Sequence, residues 1–504
     1  MAYGLTRSTV MAIVPEVTEG TAVLPSGATQ FIPILPDISF VPETELQDNE
    51  EIKNSIGISK SIQGVESGNA EISLYLKHSG VEGTAPNYGE LLEAVFGSTS
   101  TNSTQRTTTS GSTTTVIALG AGGTDFARGK AVLIKDSTNG YSIRPVHSVS
   151  SNNLTLGFAV ATAPATGMNV GKCINYAPAA SGHQSLTLAL YRGNDTAFEL
   201  IAGAKALSYT LSGEAGGLIT QSFSLSGSKY YFNPINIAAT DIKLDFLDNA
   251  TTRVATITAQ LYRDPQTLAD ALETAMNALG SANTFTVEYN DQGASAGKFT
   301  ITSTGTTLSL LWSSGANTAN TIGDKIGFVT ASDDTGALTY TSDNVQSWAS
   351  AITPTYDSAD PLVAKYNDVL IGSAADTVGF CAESIEMSFE HEEGEIRCIS
   401  AETGLDAKFF QKRTVNISVT GKLDKHDADK FYRYLNNSET RFMWAFGNKS
   451  GGNWVAGQCG CLYIPSCTVT SFEPGDGDGI VNVSLELQAF VDSSGNGEVY
   501  LNFL

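Results

Sequence analysis

Few residues in this chain have the spacing that chemistry needs. Cys459 and Cys461, with Cys467 close by, offer soft thiolates to a metal. One residue apart on an alternating strand, however, the first two thiols fall on a single face, as buried core cysteines also do. Asp476-Gly477-Asp478-Gly479 is like the front of a calcium loop. It lacks the distal glutamate such a loop needs, so it reads better as a turn between strands. Gly167 to Lys172 is like a phosphate loop but is one residue short, and Cys173 stands where Ser or Thr would be required. There is no Gly-x-Ser-x-Gly elbow. The histidines His78, His147, His183, His391 and His426 are scattered, none four residues from another as a helical zinc pair requires. No catalytic, cofactor or metal site is expected, and the chain reads as a non-enzyme.

The composition agrees. Of 504 residues only 16% are charged, against roughly 25% in an average soluble protein. Ser, Thr, Asn and 49 glycines take their place, which suits a turn-rich β protein with wide uncharged contact surfaces. The 52 acidic residues outnumber 29 basic ones, giving a net charge of −23 that disfavours nucleic-acid reading or wrapping. No stretch approaches the roughly 18 apolar residues of a membrane span. Met1 to Gly20 lack a basic start followed by an apolar run, so no secretory signal is expected. The six cysteines read as buried thiols of a protein made in the cytoplasm.

The elements that must position any surface are mostly strands. Ala70, Ile72, Leu74 and Leu76 alternate with Glu71, Ser73, Tyr75 and Lys77. Val481, Val483, Leu485 and Leu487 alternate with Asn482, Ser484, Glu486 and Gln488 in the same way. These patterns belong to a long-range repeat. Ile38-Ser39-Phe40 returns as Met387-Ser388-Phe389 at an offset of 349, each followed by an acidic, loop-like stretch, Glu43 to Ile56 and Glu390 to Thr403. Ala70 to Leu74 matches Val415 to Val419 at 345, and a short helix, Tyr88 to Phe96, matches Ala428 to Leu435 at about 340. A hairpin at Gly217-Leu218-Ile219 matches Gly479-Ile480-Val481 at 262. The fall from 340 to 262 leaves about 78 extra residues in the first copy.

Those residues read as an inserted small β-barrel at 101–178, opened by the low-complexity run Thr101 to Thr115 and punctuated by the hairpin signal Thr138-Asn139-Gly140. A second insertion, 236–350, reads as an α/β module. Its helix starts at Asp264-Pro265, carries Leu268, Leu272 and Met276, and stops near Gly280; strands Thr284 to Tyr289 and Lys298 to Thr302 follow. The fold class is therefore mainly β. Two repeated domains are expected, at 1–100 with 179–235 and at 351–504, each with a short flanking helix, plus the two inserts.

Phe31-Ile32-Pro33 to Ser39-Phe40, the strand around Ile72, Pro86-Asn87-Tyr88-Gly89-Glu90-Leu91-Leu92 and Val481 to Leu504 together resemble bacteriophage tail tube proteins. The resemblance covers the repeated halves, about half the chain, and rests on element order rather than on invariant residues. It implies a β-sandwich or partial barrel with one flanking helix, and a long loop reaching the neighbouring ring. The loops would carry Glu50, Glu51, Glu392 and Glu393 as inter-ring candidates. It also implies a hollow tube of stacked rings in the virion tail, assembled in the host cytoplasm. Phage DNA would cross the tube without specific binding, with a tape-measure protein and other tail proteins as partners. Family members usually carry one tube domain and form six-membered rings. Two domains per chain suggest a trimeric ring with pseudo-sixfold symmetry, in a non-contractile tail. By the repeat, Thr220, Ser222, Ser224, Asn482, Ser484 and Glu486 would face the lumen. The inserts would decorate the outside, with weak cell-surface binding open to them. A receptor-binding tail fibre or adhesin, or a capsid decoration protein, is the competing reading.

Overall fold

An alternating strand needs a paired strand along its edges and cover on one face, and the repeat supplies paired strands from both of its copies. The computed structural model describes residues 5–53, 56–135, 140–193, 196–346, 351–376, 379–424, 427–477, 479–491 and 496–504. Two compact units divide the chain. The larger comprises Ile13–Thr187, Ala202–Lys229 and Pro354–Leu504, and the smaller Met1–Ala12, Leu188–Ile201 and Tyr230–Thr353.

The first copy of the repeat contains β1 (Ser39–Gln47), β2 (Ile62–Tyr75), α1 (Gly89–Phe96), β3 (Ala197–Glu214) and β4 (Thr220–Gly227). Helix α2 (Pro265–Asn277) belongs to the smaller unit. The second copy contains β5 (Ala382–Arg397), β6 (Leu405–Lys422), α3 (Ala428–Leu435), β7 (Asn453–Gly477) and β8 (Ile480–Ala489). Antiparallel pairing orders the strands β1-β2-β4-β3-β5-β6-β8-β7, so one sheet runs through both copies.

Register identifies the copies residue by residue. Phe40 faces Ala70 in one and Phe389 faces Val415 in the other, which reproduces the offsets 349 and 345. The last strand is displaced from expectation. Glu71 faces Ser224 while its counterpart Asn416 faces Gln488, so that offset is 264 and not 262. Because side chains alternate with period two, the two-residue slip keeps every residue on its expected face.

The acidic stretches are part strand and part loop: Glu43–Gln47 of the first and Glu390–Arg397 of the second are strand. β1 continues through Gln47 and β5 through Arg397, so each copy projects a long two-stranded arm, β1–β2 and β5–β6. A projecting ribbon lined mostly with charged and polar side chains carries no apolar alternation, which is why these residues look like loop in the sequence. Helix α1 starts after Tyr88, one residue later than expected, and ends at Gly97, whose φ of 81° is the left-handed cap that glycine supplies without strain.

Within 101–178 a six-stranded sheet runs in the order 106–107, 169–170, 131–135, 141–150, 153–156 and 116–118. A bridge between Thr108 and Leu119 links its two ends. Its core includes Ile117, Val132, Ile134, Val146 and Leu154. Of the expected hairpin signal, Thr138 and Asn139 lie outside the described residues, but the flanking strands do pair antiparallel.

In the smaller unit Asp264 caps α2, its Oδ1 accepting from the Thr267 backbone N–H at 2.8 Å, with Pro265 in the first turn. Leu268, Leu272 and Met276 turn onto a core with Phe246, Phe285 and Trp312. Strands Phe285–Asn290 and Lys298–Ser303 pair within one residue of the expected bounds. The unit also recruits residues far from 236–350: Phe198 N–H donates to Asn233 Oδ1 at 2.8 Å, and Tyr191 stacks on Phe198 at 4.4 Å.

Candidate functional site: a polar sheet face and its two edges

One face of the shared sheet is core. Ile72, Leu74, Phe223, Tyr209, Met387, Phe389, Ile417, Val419 and Leu485 are each at most 2% exposed. The other face is polar, and cross-strand register turns it into rows. One row runs Ser73, Ser222, Thr210, Ser388, Asn416, Gln488, Thr468 across seven strands. The next runs Thr220, Ser212, Glu386, Ser418, Glu486, Ser471. Glu71 and Glu390 flank them, and no Lys or Arg occupies these rows. Thr220, Ser222, Ser224, Asn482, Ser484 and Glu486 all lie on this face, half-buried. The sequence pattern missed the contribution of β3, β5 and β6, because adjacency of strands from different copies leaves no trace in a local pattern.

The copies meet where β3 pairs with β5, from Ser208 opposite Glu390 to Glu214 opposite Ser384. On the core side α1 covers this junction. The Phe96 ring lies 5.1 Å from Phe389 and 5.8 Å from Tyr209, and His391 Nε2 lies 2.9 Å from the Val95 carbonyl oxygen. His391 also stacks on Phe410 at 4.0 Å and meets His183 edge-on at 4.9 Å. Burial pushes His391 down to about 4 and lowers His183. Arg413 beside them is held bidentately by Glu498, at 2.7 and 3.0 Å.

The sheet ends in two edges. Among the described residues β1 pairs with β2 alone, and Thr468–Gly477 of β7 with β8 alone. The two arms flank a groove of about 590 Å³ and are tied across it: Arg397 Nη1 lies 2.8 Å from Glu45 Oε2, and Glu66 N–H donates to the Thr403 carbonyl at 3.1 Å. The four acidic candidates do not occupy equivalent positions. Glu50 and Glu51 stand at the tip beyond β1, Glu51 paired with Lys53 at 2.8 Å. Glu392 and Glu393 lie within β5, opposite Lys412 and Phe410, and Glu393 neutralises the buried Lys408 at 2.9 Å. At the arm tips Ile52, Ile56, Ile58 and Ile399 are fully exposed, which the acidic composition had masked.

The residues with possible chemistry do not converge. Cys459 and Cys461 are buried in an apolar cluster with Met443 and Tyr463, and burial pushes the Cys459 thiol up to about 12. Cys381, expected to be buried, is exposed, and Cys398 is half-exposed on an arm. Asp476 lies at the end of β7 and Gly479 in the turn to β8, and Asp476 Oδ1 accepts from Gly479 N–H at 2.9 Å; Asp478 lies outside the described residues. Among the described residues no group of three or more His, Cys, Asp or Glu is placed to hold a metal, and no helix is long and apolar enough to cross a membrane.

No curated protein matches the sequence. Among solved structures the chain is similar to the SPP1 tail tube, at 15% identity and a TM-score of 0.20 over 29% of this chain and 80% of that one. It is also similar to a chain of the native gene transfer agent virion, at 15% identity and 0.19, covering 25% of this chain and 92% of the other. A third is in the tail of the empty gene transfer agent particle, at 16% identity and 0.19 with the same coverage. A family model described as phage tail tube protein matches residues 6–260, which span the whole first copy and end before the second. With half of its length so matched, the chain belongs to the phage tail tube protein family.

Proposed function

We propose that this structural tail tube subunit closes its ring with three chains, each supplying two tube domains in pseudo-sixfold arrangement. The observation that carries the reading is the β3–β5 junction. It joins two equivalent four-stranded units head to tail, and it leaves at the ends of the sheet the counterparts of the two strands it joins. Repeating it between chains satisfies both edges and closes a ring. The first tube domain is 1–100 with 179–235 and the second 351–504, with 101–178 and 236–350 as inserts on the outside.

The polar face then lines the lumen, with Thr220, Ser222, Ser224, Asn482, Ser484 and Glu486 among its residues. The two central rows carry hydroxyls, amides and carboxylates with no cation, and Lys422, opposite Asn482 on the same face, is neutralised by Glu383 at 2.8 Å. The net negative charge repels phosphate within a Debye length of about 8 Å. The arm tips, with Glu50 and Glu51 among exposed isoleucines, reach the adjacent ring, and Glu392 and Glu393 brace an arm from its base. The tube belongs to a non-contractile virion tail, built in the host cytoplasm around a tape-measure protein. The chain acts as a conduit and not as an enzyme, and any weak cell-surface binding resides in the inserts.

Electron microscopy of the purified chain, with native mass measurement, tests this. Hollow stacked rings whose mass is three times 53.0 kDa are expected. Rings of six chains would overturn the stoichiometry, and solid rods or isolated trimers would favour a fibre.

A further inference from the structure

We propose that the exposed aromatic face of α3 seats the next chain of the ring, beside a strand pair in which Ser471 of β7 stands opposite Ser39 of that chain's β1; this rests on the ring reading above.

Helix α3 is amphipathic the wrong way round for a lone chain. Lys430 and Asp427 are buried, at 8% and 7% exposure, and pair with each other at 2.9 Å. Phe431, Tyr432, Tyr434 and Leu435 are exposed at 39, 60, 40 and 59%. The corresponding helix α1 instead turns its apolar residues inwards: Leu91, Leu92, Ala94, Val95 and Phe96 are all at 0%. A contiguous apolar patch flanked by polar residues marks a contact surface.

The partner follows from what covers α1. Part of its cover is β5, a strand of the other copy, through the Phe96–Phe389 ring contact and the bond from His391 to Val95. The counterpart of β5 is β1. In this chain β1 lies at the opposite end of the eight-strand sheet from β7, on which α3 rests through Phe431 and Phe472, 5.3 Å apart. A second copy of this chain is what can bring a β1 to that place.

Register then follows from the internal junction, where Thr210 faces Ser388. Thr210 faces Ser222 as Ser471 faces Glu486, and those two are equivalent at the offset of 264. Ser388 corresponds to Ser39 at 349. Directly opposed residues of an antiparallel pair lie about 4.5–5.5 Å apart between Cα atoms, inside the window a disulfide tolerates.

The test uses the full chain with Cys381→Ser and Cys398→Ser, the two cysteines that are not buried. Ser39→Cys with Ser471→Cys, oxidised after assembly, should move most of the protein to two- and three-chain species on a non-reducing gel. Each single variant should stay at one-chain mass, and Thr210→Cys with Ser388→Cys should close within one chain. Assembled rings in which the Ser39/Ser471 pair stays at one-chain mass would overturn the register. Tyr432→Lys with Leu435→Glu should leave the melt of the single chain unchanged, because both residues are exposed there, and raise the protein concentration needed for assembly at least tenfold. Assembly at the unaltered concentration would overturn the role of α3. If the parent chain forms no rings, the ring reading itself fails; rings without the cross-link sink this inference alone.

Discussion

Phe389→Ala asks whether the two copies form one cooperative core. The ring is 0% exposed, lies 5.1 Å from Phe96 and 5.0 Å from His391, and its backbone pairs with Tyr209 on one side and Val415 on the other. Truncating a buried Phe costs about 3–5 kcal/mol in transfer and cavity terms. With its ring pairs to Phe96 and His391, this site falls in the middle of that range, near 4 kcal/mol by an order-of-magnitude reckoning. Ser388→Ala, the neighbour on the polar face, should stay within about 0.5 kcal/mol. Urea unfolding can be followed through Trp444 and Trp454, both buried in the larger unit. With a slope of roughly 3 kcal/mol/M or more, the Phe389→Ala midpoint should fall by roughly 1 M with the slope unchanged. A fall under roughly 0.3 M would mean that β3–β5 is not part of the folded core and that the copies fold separately.

Three further outcomes follow from the same structure. Burial depresses His391 to about 4 and lowers His183, so the folded chain binds fewer protons than the unfolded chain below about 6.5. Stability should therefore fall as pH drops from 6.5 towards 4, by at most about 1.4 kcal/mol per unit for each histidine, and thermal melts of His391→Gln should show a shallower slope. Asp264→Ala removes the α2 cap and should destabilise the smaller unit by about 1 kcal/mol in calorimetry, leaving the larger unit's transition in place. A thiol reagent should modify Cys398 and Cys381 in the native chain. Cys398 should react first, since a bond from Ser400 lowers its thiol, and the four buried thiols should react after denaturation.

What the sequence discloses is what leaves a periodic trace. Ile72 and Val419 alternate with polar neighbours because one face of their strands is core, and the offsets 349 and 345 follow from that alone. The same periodicity hides a two-residue slip, so Ser224 aligns with Glu486 in the sequence but with Gln488 in the sheet. The arms fail differently: Glu392, Glu393 and Glu395 crowd a projecting ribbon, and charge density looks like loop. Pairing between copies leaves no local signal at all, so the row through Thr210 and Ser388 was invisible until strand order was known. Helix α3 was legible as a helix. Its direction was not, because the pair Lys430–Asp427 turns the polar side inwards against the usual rule.

On the proposed ring, duplication does more than halve the number of chains. Joining two tube domains makes every second junction intramolecular, which raises the effective concentration of its partners without new contacts. Such a junction is also free to diverge from the one between chains. Within the chain His391 reaches Val95 and Arg397 reaches Glu45. The equivalent positions at the other junction hold Pro42 and Asp48, neither of which can donate from a side chain, and Gly394 stands where Glu45 would accept. Those two links therefore cannot form between chains. The seam there must rest on strand pairing and on apolar burial, for which α3 keeps Tyr432 and Leu435 outside. The exposed aromatic face and the missing polar links are two sides of one division of labour: the internal junction is fixed by directional bonds at folding, and the external one by burial at assembly.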